Sequence, residues 1–511
     1  MTILASLVCF STPPVCFAAP PWADDDPRRL ELAQRLEADH LARRIEQGVQ
    51  RLDLSALEHS YAGTGSLPHR PDLLLRAVLY EIQRGQHSPA TWYRDAKESE
   101  PLRWLLRGCR PSRSCWYAFR DRCAPFVDEC NRQLLQQALD QGLTPATRGS
   151  LDGTLVAANA SRHKLVNETT LGQRAAELTA ARAADTQGLT PTAVPAWMAP
   201  TPAGRQQQQQ RVQQAQQRMD ALQTRNGHKR ASKRKARQKV VVSASDPEAA
   251  VGRDKEKVFR PLYNVQVLDD LDSPFVLAYE VFAQQNDAGL LPTMLPRAQQ
   301  LVGHALQVLL ADTSYAGGWD LATAAQENVL LYAPLPSDGN QKEKQIPKSQ
   351  FPWVGAAATY VCPQGHRLVY EGSSRQKRSG TEAVVLQRYR CPPQHCTSCP
   401  LRASCTPNAE AGRTISRGEH KELIEALRVR MATAEAKQLY RLRSRTVELV
   451  NADWKQHRKL RRFSGRGLKR VRCQVALTVL AHNLITLLSE QKKAEEKNAT
   501  AVAVNPQGVV T

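Results

Sequence analysis

Three carboxylates stand where a surface role explains them poorly. Asp152 lies inside the apolar-flanked run S-L-D-G-T-L-V, Asp312 closes the apolar run V-L-L-A-D, and Glu448 sits in R-L-R-S-R-T-V-E-L-V. The first two read as strand-borne and the third as helix-borne, so all three can converge at one edge of a sheet. Hard divalent cations take oxygen ligands, and Mg2+ binds few carboxylates alongside waters and phosphate oxygens. A pair of such ions about 3.5–4 Å apart can activate a water or a 3′-hydroxyl and stabilise the leaving oxygen of a phosphodiester. Taken singly, each acid reads as well as a cap or turn residue. Taken together in this order, in a chain of formal net charge +21, they favour a metal site.

Cations flank the third acid. Arg441, Glu448 and Lys455 are seven residues apart, which puts them on one face of a helix. A carboxylate between two cations suits a metal ligand beside phosphate-binding groups, the competing reading being a salt-bridged helix surface. From Lys455 to Arg472 there are nine Lys/Arg and no acid to pair with them, and residues 225–239 hold eight more with none. Over the whole chain Lys+Arg is 70 against 49 Asp+Glu, which points to a polyanionic partner, nucleic acid or an anionic membrane surface. Phosphate contacts of this kind give affinity and salt dependence rather than sequence choice. With 41% hydrophobic and 23% charged residues, neither a wholly disordered chain nor a multi-span membrane protein fits.

Twelve Cys in 511 residues are too sparse for a disulfide scaffold. Cys362, Cys391, Cys396, Cys399 and Cys405 crowd together, as in a local metal site or a reduced thiol cluster. Cys109, Cys115, Cys123 and Cys130 lack zinc spacing and read as buried small apolar residues. Residues 1–26 read as a signal-like leader or as a start placed too far upstream. The second is favoured, because the apolar run has no Lys or Arg before it and is broken by Pro13 and Pro14. The other apolar stretch, 471–488, contains Arg472, Gln474, His482 and Asn483, so it reads as a buried or amphipathic helix rather than a span.

The elements that must position these groups follow from periodicity. Residues 27–145 show three- and four-residue apolar spacing and an Arg-rich surface, the pattern of a helical DNA-binding domain. Within 146–333 a first strand is followed by the order β, β, β, α, β, α, β, a mixed sheet with helices packed on it. The strands are SLDGTLV, KVVVSAS, YNVQVLD, FVLAYEVFAQ, HALQVLLAD and VLLYAPLP, and the helix NDAGLLPTMLPRAQQLV follows an Asn-Asp cap. An Ala/Gln/Arg-rich insertion over about 165–240, with five Gln at 206–210, reads as a long surface helix or a flexible segment. Residues 334–415 form a Cys-rich insertion. Residues 416–491 are helical, with one run over 419–460 and a closing helix from Lys469, and 492–511 read as a disordered tail.

These motifs resemble bacterial insertion-sequence transposases of the DDE type, over about residues 52–488. S-A-L-E-H-S-Y-A-G-T-G-S-L-P-H-R-P-D-L-L-L-R-A-V-L-Y is similar to their helical N-terminal domain, and D-G-T-L-V-A-A-N-A-S-R-H-K to the first catalytic strand. Y-N-V-Q, Asn286-Asp287 and L-A-D-T-S-Y resemble the middle strands. Y-R-L-R-S-R-T-V-E with Lys455 resembles the Tyr–Arg–Glu–Lys signature, and G-L-K-R-V-R-C-Q-V-A-L-T-V-L-A-H-N-L the closing helix.

The resemblance implies an RNase H-like catalytic domain whose mixed α/β sheet is flanked by helices. It implies binding of the element's terminal inverted repeats, hydrolysis of a phosphodiester at each end, and joining of the 3′-hydroxyl to target DNA. Asp152, Asp312 and Glu448 would hold two Mg2+ (or Mn2+). Arg441, Arg443 and Lys455 would contact phosphates, and Tyr440 would stack on or orient DNA. The expected partners are double-stranded DNA (element ends and target) and a second copy of the chain, with no membrane, in the cytoplasm with the nucleoid. C-x4-C-x2-C-x5-C after C-P-Q-G-H resembles a zinc-ribbon-like insertion. With Cys362 it offers one thiol more than the four ligands Zn2+ takes, His366 being a weaker candidate.

Many relatives have Pro and then an aromatic-Gly pair soon after the glutamate, where this chain has E-L-V-N-A-D-W. The spacing from Arg443 to Glu448 is also one longer than in some branches. Those departures keep an alternative open, a catalytically decayed transposase that only binds DNA. The N-terminus alone suggests a third reading, an exported basic protein.

Overall fold

The structure, a computed structural model, describes residues 15–62, 65–189, 191, 193–229, 231–335, 346–377, 383–406, 408 and 410–504. From Pro27 to Asp140 the chain is helical, and the helix Pro71–Gln83 is buried along almost its whole length. Residues ahead of Pro27 pack on these helices: Trp22 is buried and its backbone N–H donates to the Arg107 carbonyl at 3.1 Å. Cys109, Cys123 and Cys130 are buried, while Cys115 is only half-buried.

A six-stranded mixed sheet follows. Its strands are β1 (Arg148–Ala157), β2 (Ala250–Arg253), β3 (Phe259–Asp270), β4 (Val276–Phe282), β5 (Val308–Leu310) and β6 (Leu330–Tyr332). β1 is central. It runs antiparallel to β3, with Asp152 opposite Val267, and parallel to β5, which is parallel to β6. β3 is long enough to carry both β2 and β4 on its other side. Its Val, Leu and Tyr residues are buried between helices on both faces of the sheet, as a central strand requires. β2 is a strand that the sequence reading lacks, and KVVVSAS shrinks to the two-residue strand Val242–Ser243 paired outside this sheet.

The closing helix, Leu468–Val504, is long and apolar enough to cross a membrane by composition, yet it is mostly buried inside the protein. One continuous hydrophobic core joins it to the sheet and to the N-terminal helices. Asn483, fully buried on it, accepts the Val276 N–H at 3.0 Å and donates to the Val276 carbonyl at 2.9 Å. The edge of β4 is thus partnered by an amide side chain where no further strand exists among the described residues. The helix also runs through Lys492 to Val504, where a disordered tail is expected; the expected tail's remaining residues, 505–511, lie outside the described residues.

The insertion is two helices, Glu168–Thr186 and Pro202–Gly227, with a small core of Leu171, Leu178, Val212, Ala215, Met219 and Val242. Arg205, completely buried between them, is ion-paired with Asp185, a cross-link that a flexible segment would lack. The Cys-rich segment carries a three-stranded antiparallel sheet, Val369–Lys377, Ala383–Arg390 and Thr414–Gly418, over an aromatic cluster of Trp353, Tyr360 and Tyr389.

The helical run expected over 419–460 is broken. Lys421–Ala432 and Ala434–Tyr440 meet at Thr433, whose hydroxyl caps the second helix. A 3-10 stretch, Arg441–Arg445, then leads through Thr446 (φ −119°, ψ −97°) into the helix Val447–Gln456. Arg441 therefore does not share a continuous helix face with Glu448. Nor do Asn286 and Asp287 cap the helix Leu291–Val302. Asp320, from a later helix, accepts the Gly289 and Leu291 N–H groups at 2.9 and 3.2 Å, and this leaves Asp287 for another use.

Candidate active site

Asp152 projects from the middle of β1, where the antiparallel partner β3 and the helix Val447–Gln456 enclose it. Its side chain is 17% exposed. Arg443 Nη2 donates to one carboxylate oxygen at 2.8 Å, and Asn451 Nδ2, from the helix, donates to the other at 3.1 Å. The same guanidinium reaches the more exposed Glu448 through Nη1, at 3.5 Å. A strand acid and a helix acid thus meet across one arginine. Burial raises the proton affinity of Asp152. The charges of Arg443 and Lys255 oppose that shift, and those of Asp312 and Asp287 add to it.

Asp312 follows β5, the parallel neighbour of β1. It caps the 3-10 turn Thr313–Tyr315, accepting the Ser314 N–H at 2.7 Å. Tyr440 donates its hydroxyl proton to the Ala311 carbonyl at 3.2 Å, tying the helical segment before Glu448 to the strand end that bears Asp312. In this structure Tyr440 is half-buried and engaged with backbone.

A fourth acid joins them. Asp287 Oδ1 accepts from Asn264 Nδ2 and Gln266 Nε2, both at 2.7 Å, and Gln266 in turn accepts from the Tyr315 hydroxyl. Burial and the nearby Asp312 charge raise the Asp287 pKa, against its two hydrogen bonds and Lys255. Gly153 stands beside Asp152 and opposite Gln266 in the β1–β3 register, and a Cβ there would overlap the Asp287 carboxylate and the Gln266 amide. Sequence reasoning gives Asn286-Asp287 a motif match and a helix-cap role, and no place among the site acids. Two signals in the sequence point to one: the amides of Asn264 and Gln266 inside an apolar strand, and a glycine directly after the strand acid.

Cations surround the acids. The Lys455 ammonium is depressed by burial and by Lys255 and Arg461, with Asp152 and Glu256 opposing. Arg443 and Lys455 are therefore brought to the acids, while Arg441 is exposed, its carbonyl accepting the Ser444 hydroxyl. Several of the nine cations of 455–472 have acid partners, near or distant in the chain, against the expectation that none has an acid. Arg458 pairs with Asp453 at 3.1 Å, Arg470 with Asp121 at 2.8 Å, and Arg472 with Glu280.

The donor chemistry fits a hard divalent cation: carboxylates from β1, the end of β5, the loop after β4 and the helix of Glu448, with mutual repulsion that a cation would relieve. In this conformation Arg443 occupies the space between Asp152 and Glu448. Among the described residues, no three His, Cys, Asp or Glu stand in metal-holding geometry.

The thiols also gather. Cys391 meets Cys396 and Cys362, and Cys405 faces Cys396, Cys399 and Cys362. All are free, and burial pushes the Cys391 and Cys405 thiols up. His366 stacks on His395 at 4.1 Å.

Residues 361–488, about a quarter of the chain, match the family model described as "Transposase DDE domain". That span holds Glu448, the thiol cluster and the buried part of the closing helix, and it begins well after Asp152, Asp287 and Asp312. No curated protein matches the chain.

Proposed function

We propose, starting from the transposase DDE domain of the C-terminal region, that this chain cleaves DNA at the ends of an insertion sequence and joins the 3′-hydroxyl ends to target DNA. One observation carries the reading: Asp152 and Glu448, 296 residues apart in sequence, share the Arg443 guanidinium beside the strand end of Asp312. The strand order, with β1 central, β3 antiparallel and β5 and β6 parallel to it, supports an RNase H-like catalytic domain.

Asp152, Asp312 and Glu448 would hold two Mg2+ (or Mn2+), with Asp287 beside them. When bound, the ions supply Lewis-acid stabilisation of the phosphodiester and a more acidic attacking water. Arg443 and Lys455 neutralise the phosphate flanking the scissile bond, and Arg441 reaches backbone farther out. Tyr440 orients the Asp312 strand end through Ala311. The five thiols would hold Zn2+ four at a time, which metal analysis of the purified protein tests: about one zinc per chain is expected for a structural site. Joining two ends calls for a second copy on the DNA.

A second reading, binding without cleavage, is favoured by one observation, the run E-L-V-N-A-D-W that follows Glu448 in this chain. Asp312→Asn separates the two. In a Mg2+-dependent nicking assay on an end-containing duplex, cleavage by the native chain and its loss in the variant, with DNA binding kept, is the expected result. A native chain that binds and never nicks leaves the second reading.

A further inference from the structure

The cationic stretch 225–239 takes no part in the acidic site, yet it is tightly built. Asn226, buried, donates to the Lys235 carbonyl at 2.7 Å and accepts the Lys235 N–H at 3.0 Å, closing the loop on itself. Gln223 donates to the Arg237 carbonyl at 3.1 Å, Arg237 forks onto Glu168, and Arg234 donates to the Gly227 carbonyl at 2.8 Å. Those arginines serve the loop's own architecture. Four lysines do not. Lys229, Lys233, Lys235 and Lys239 are exposed, and among the described residues none of their ammonium groups is ion-paired.

Like charges pinned near one another repel, and an external polyanion relieves that repulsion. Lys229, Lys235 and Lys239 line a cleft of about 240 Å³ whose opposite wall is the turn Gln284, Gln285 and Asn286. Arg218 donates to the Ala283 carbonyl at 3.2 Å, so the insertion is fastened to the end of β4. The turn runs directly into Asp287, at the acidic site. A cationic wall thus leads, over three residues of backbone, to the carboxylates.

We propose that the Lys229–Lys239 loop is a clamp for the phosphodiester backbone of duplex DNA, laying it across the Gln284–Asn286 turn towards the acids. This rests on the nucleic-acid reading above. Lysines act on phosphates as point charges, so the clamp adds affinity and salt dependence and reads no sequence.

The test is fluorescence anisotropy with a random-sequence duplex, without divalent ions, over a KCl series. It uses the full chain, the K229Q/K233Q/K235Q/K239Q variant and the matching fourfold Lys→Arg variant. The plot of log affinity against log salt should become shallower by about 0.9 for each phosphate that the glutamines leave unneutralised, about 2–4 in all, with affinity at physiological salt down at least tenfold. The arginine variant should keep the native slope. All four side chains are exposed, so the melting temperature should hold. Should the fourfold variant melt early, the pairs K229Q/K233Q and K235Q/K239Q each carry about half the change and keep the test decisive. A glutamine variant with native slope and affinity overturns the clamp and leaves the function standing. A native chain with no salt-dependent duplex binding overturns the proposed function, and the clamp with it.

Discussion

The Arg443 guanidinium stands 2.8 Å from the Asp152 carboxylate, and its other amino group reaches Glu448. Arg443 therefore does, without metal, part of what a divalent cation would do at the same oxygens. Removing it leaves a largely buried acid uncompensated. Arg443→Ala should lower stability by about 1–3 kcal/mol in chelator, less than for a fully buried pair because Glu448 is well exposed. Mg2+ should then raise the melting temperature of the variant more than that of the native chain, since no arginine competes for the site. Melting curves with and without Mg2+ check this. Identical Mg2+ shifts in both proteins would remove the competition.

Gly153 makes the second case. A methyl group there must displace the Asp287 carboxylate or the Gln266 amide, and Gln266 is held by Tyr315. Gly153→Ala should cost about 1–3 kcal/mol, the range for overpacking a filled site. The double variant Gly153→Ala/Asp287→Ala should recover part of that loss in urea denaturation. A double variant whose effects merely add would mean the two positions do not touch.

The strand acids are legible because each interrupts an apolar run, and a charge in such a run needs a reason. Arg443 is picked out by the Tyr–Arg–Glu–Lys resemblance, whereas residue spacing alone does not single it out. Seven-residue spacing picks Arg441 if the segment is one helix, but the 3-10 stretch turns with a period near three, and Thr446 breaks the axis, so a different arginine faces the acids. The amides of Asn264 and Gln266 and the glycine at 153 mark the place locally, but the role of Asp287 depends on the register that sets Gly153 opposite Gln266, which local sequence does not give for strands so far apart. The partner of Arg470, Asp121, lies 349 residues away, so a run lacking acids locally does not lack them in space. The helical N-terminal region and the order of sheet elements are readable from periodicity, whereas the short strand Ala250–Arg253 offers too few residues for a pattern.

Asn483 tests how the closing helix is used. Its amide takes both polar groups of Val276 at the edge of β4, inside the core. Asn483→Ala leaves a buried N–H and a buried carbonyl without partners, so a loss of about 2–4 kcal/mol is expected, against well under 1 kcal/mol for an exposed position such as Lys492→Ala. Thermal unfolding of both variants measures the difference. A small effect at Asn483 would mean that water or the backbone takes over its role.

Glu81 gives the pH prediction. It is fully buried on the helix Pro71–Gln83, and burial, with the charge and hydrogen bond of Asp95, pushes its carboxyl up to about 8, against the opposing charge of Arg84. The folded chain therefore keeps a proton that the unfolded chain releases near pH 4.5. With more protons bound in the native state, stability falls as pH rises, from about pH 4.5 to about pH 8, and levels off above that. Glu81→Gln removes the titration while keeping the size and a donor for Asp95. The native chain should lose about 2–4 kcal/mol between the two ends of that window relative to the variant, read from urea midpoints and slopes at each pH. The variant should be the more stable protein at pH 9 and close to native at pH 4. Parallel pH profiles for the two would place the Glu81 proton affinity in the ordinary range and make its burial beside Asp95 harmless.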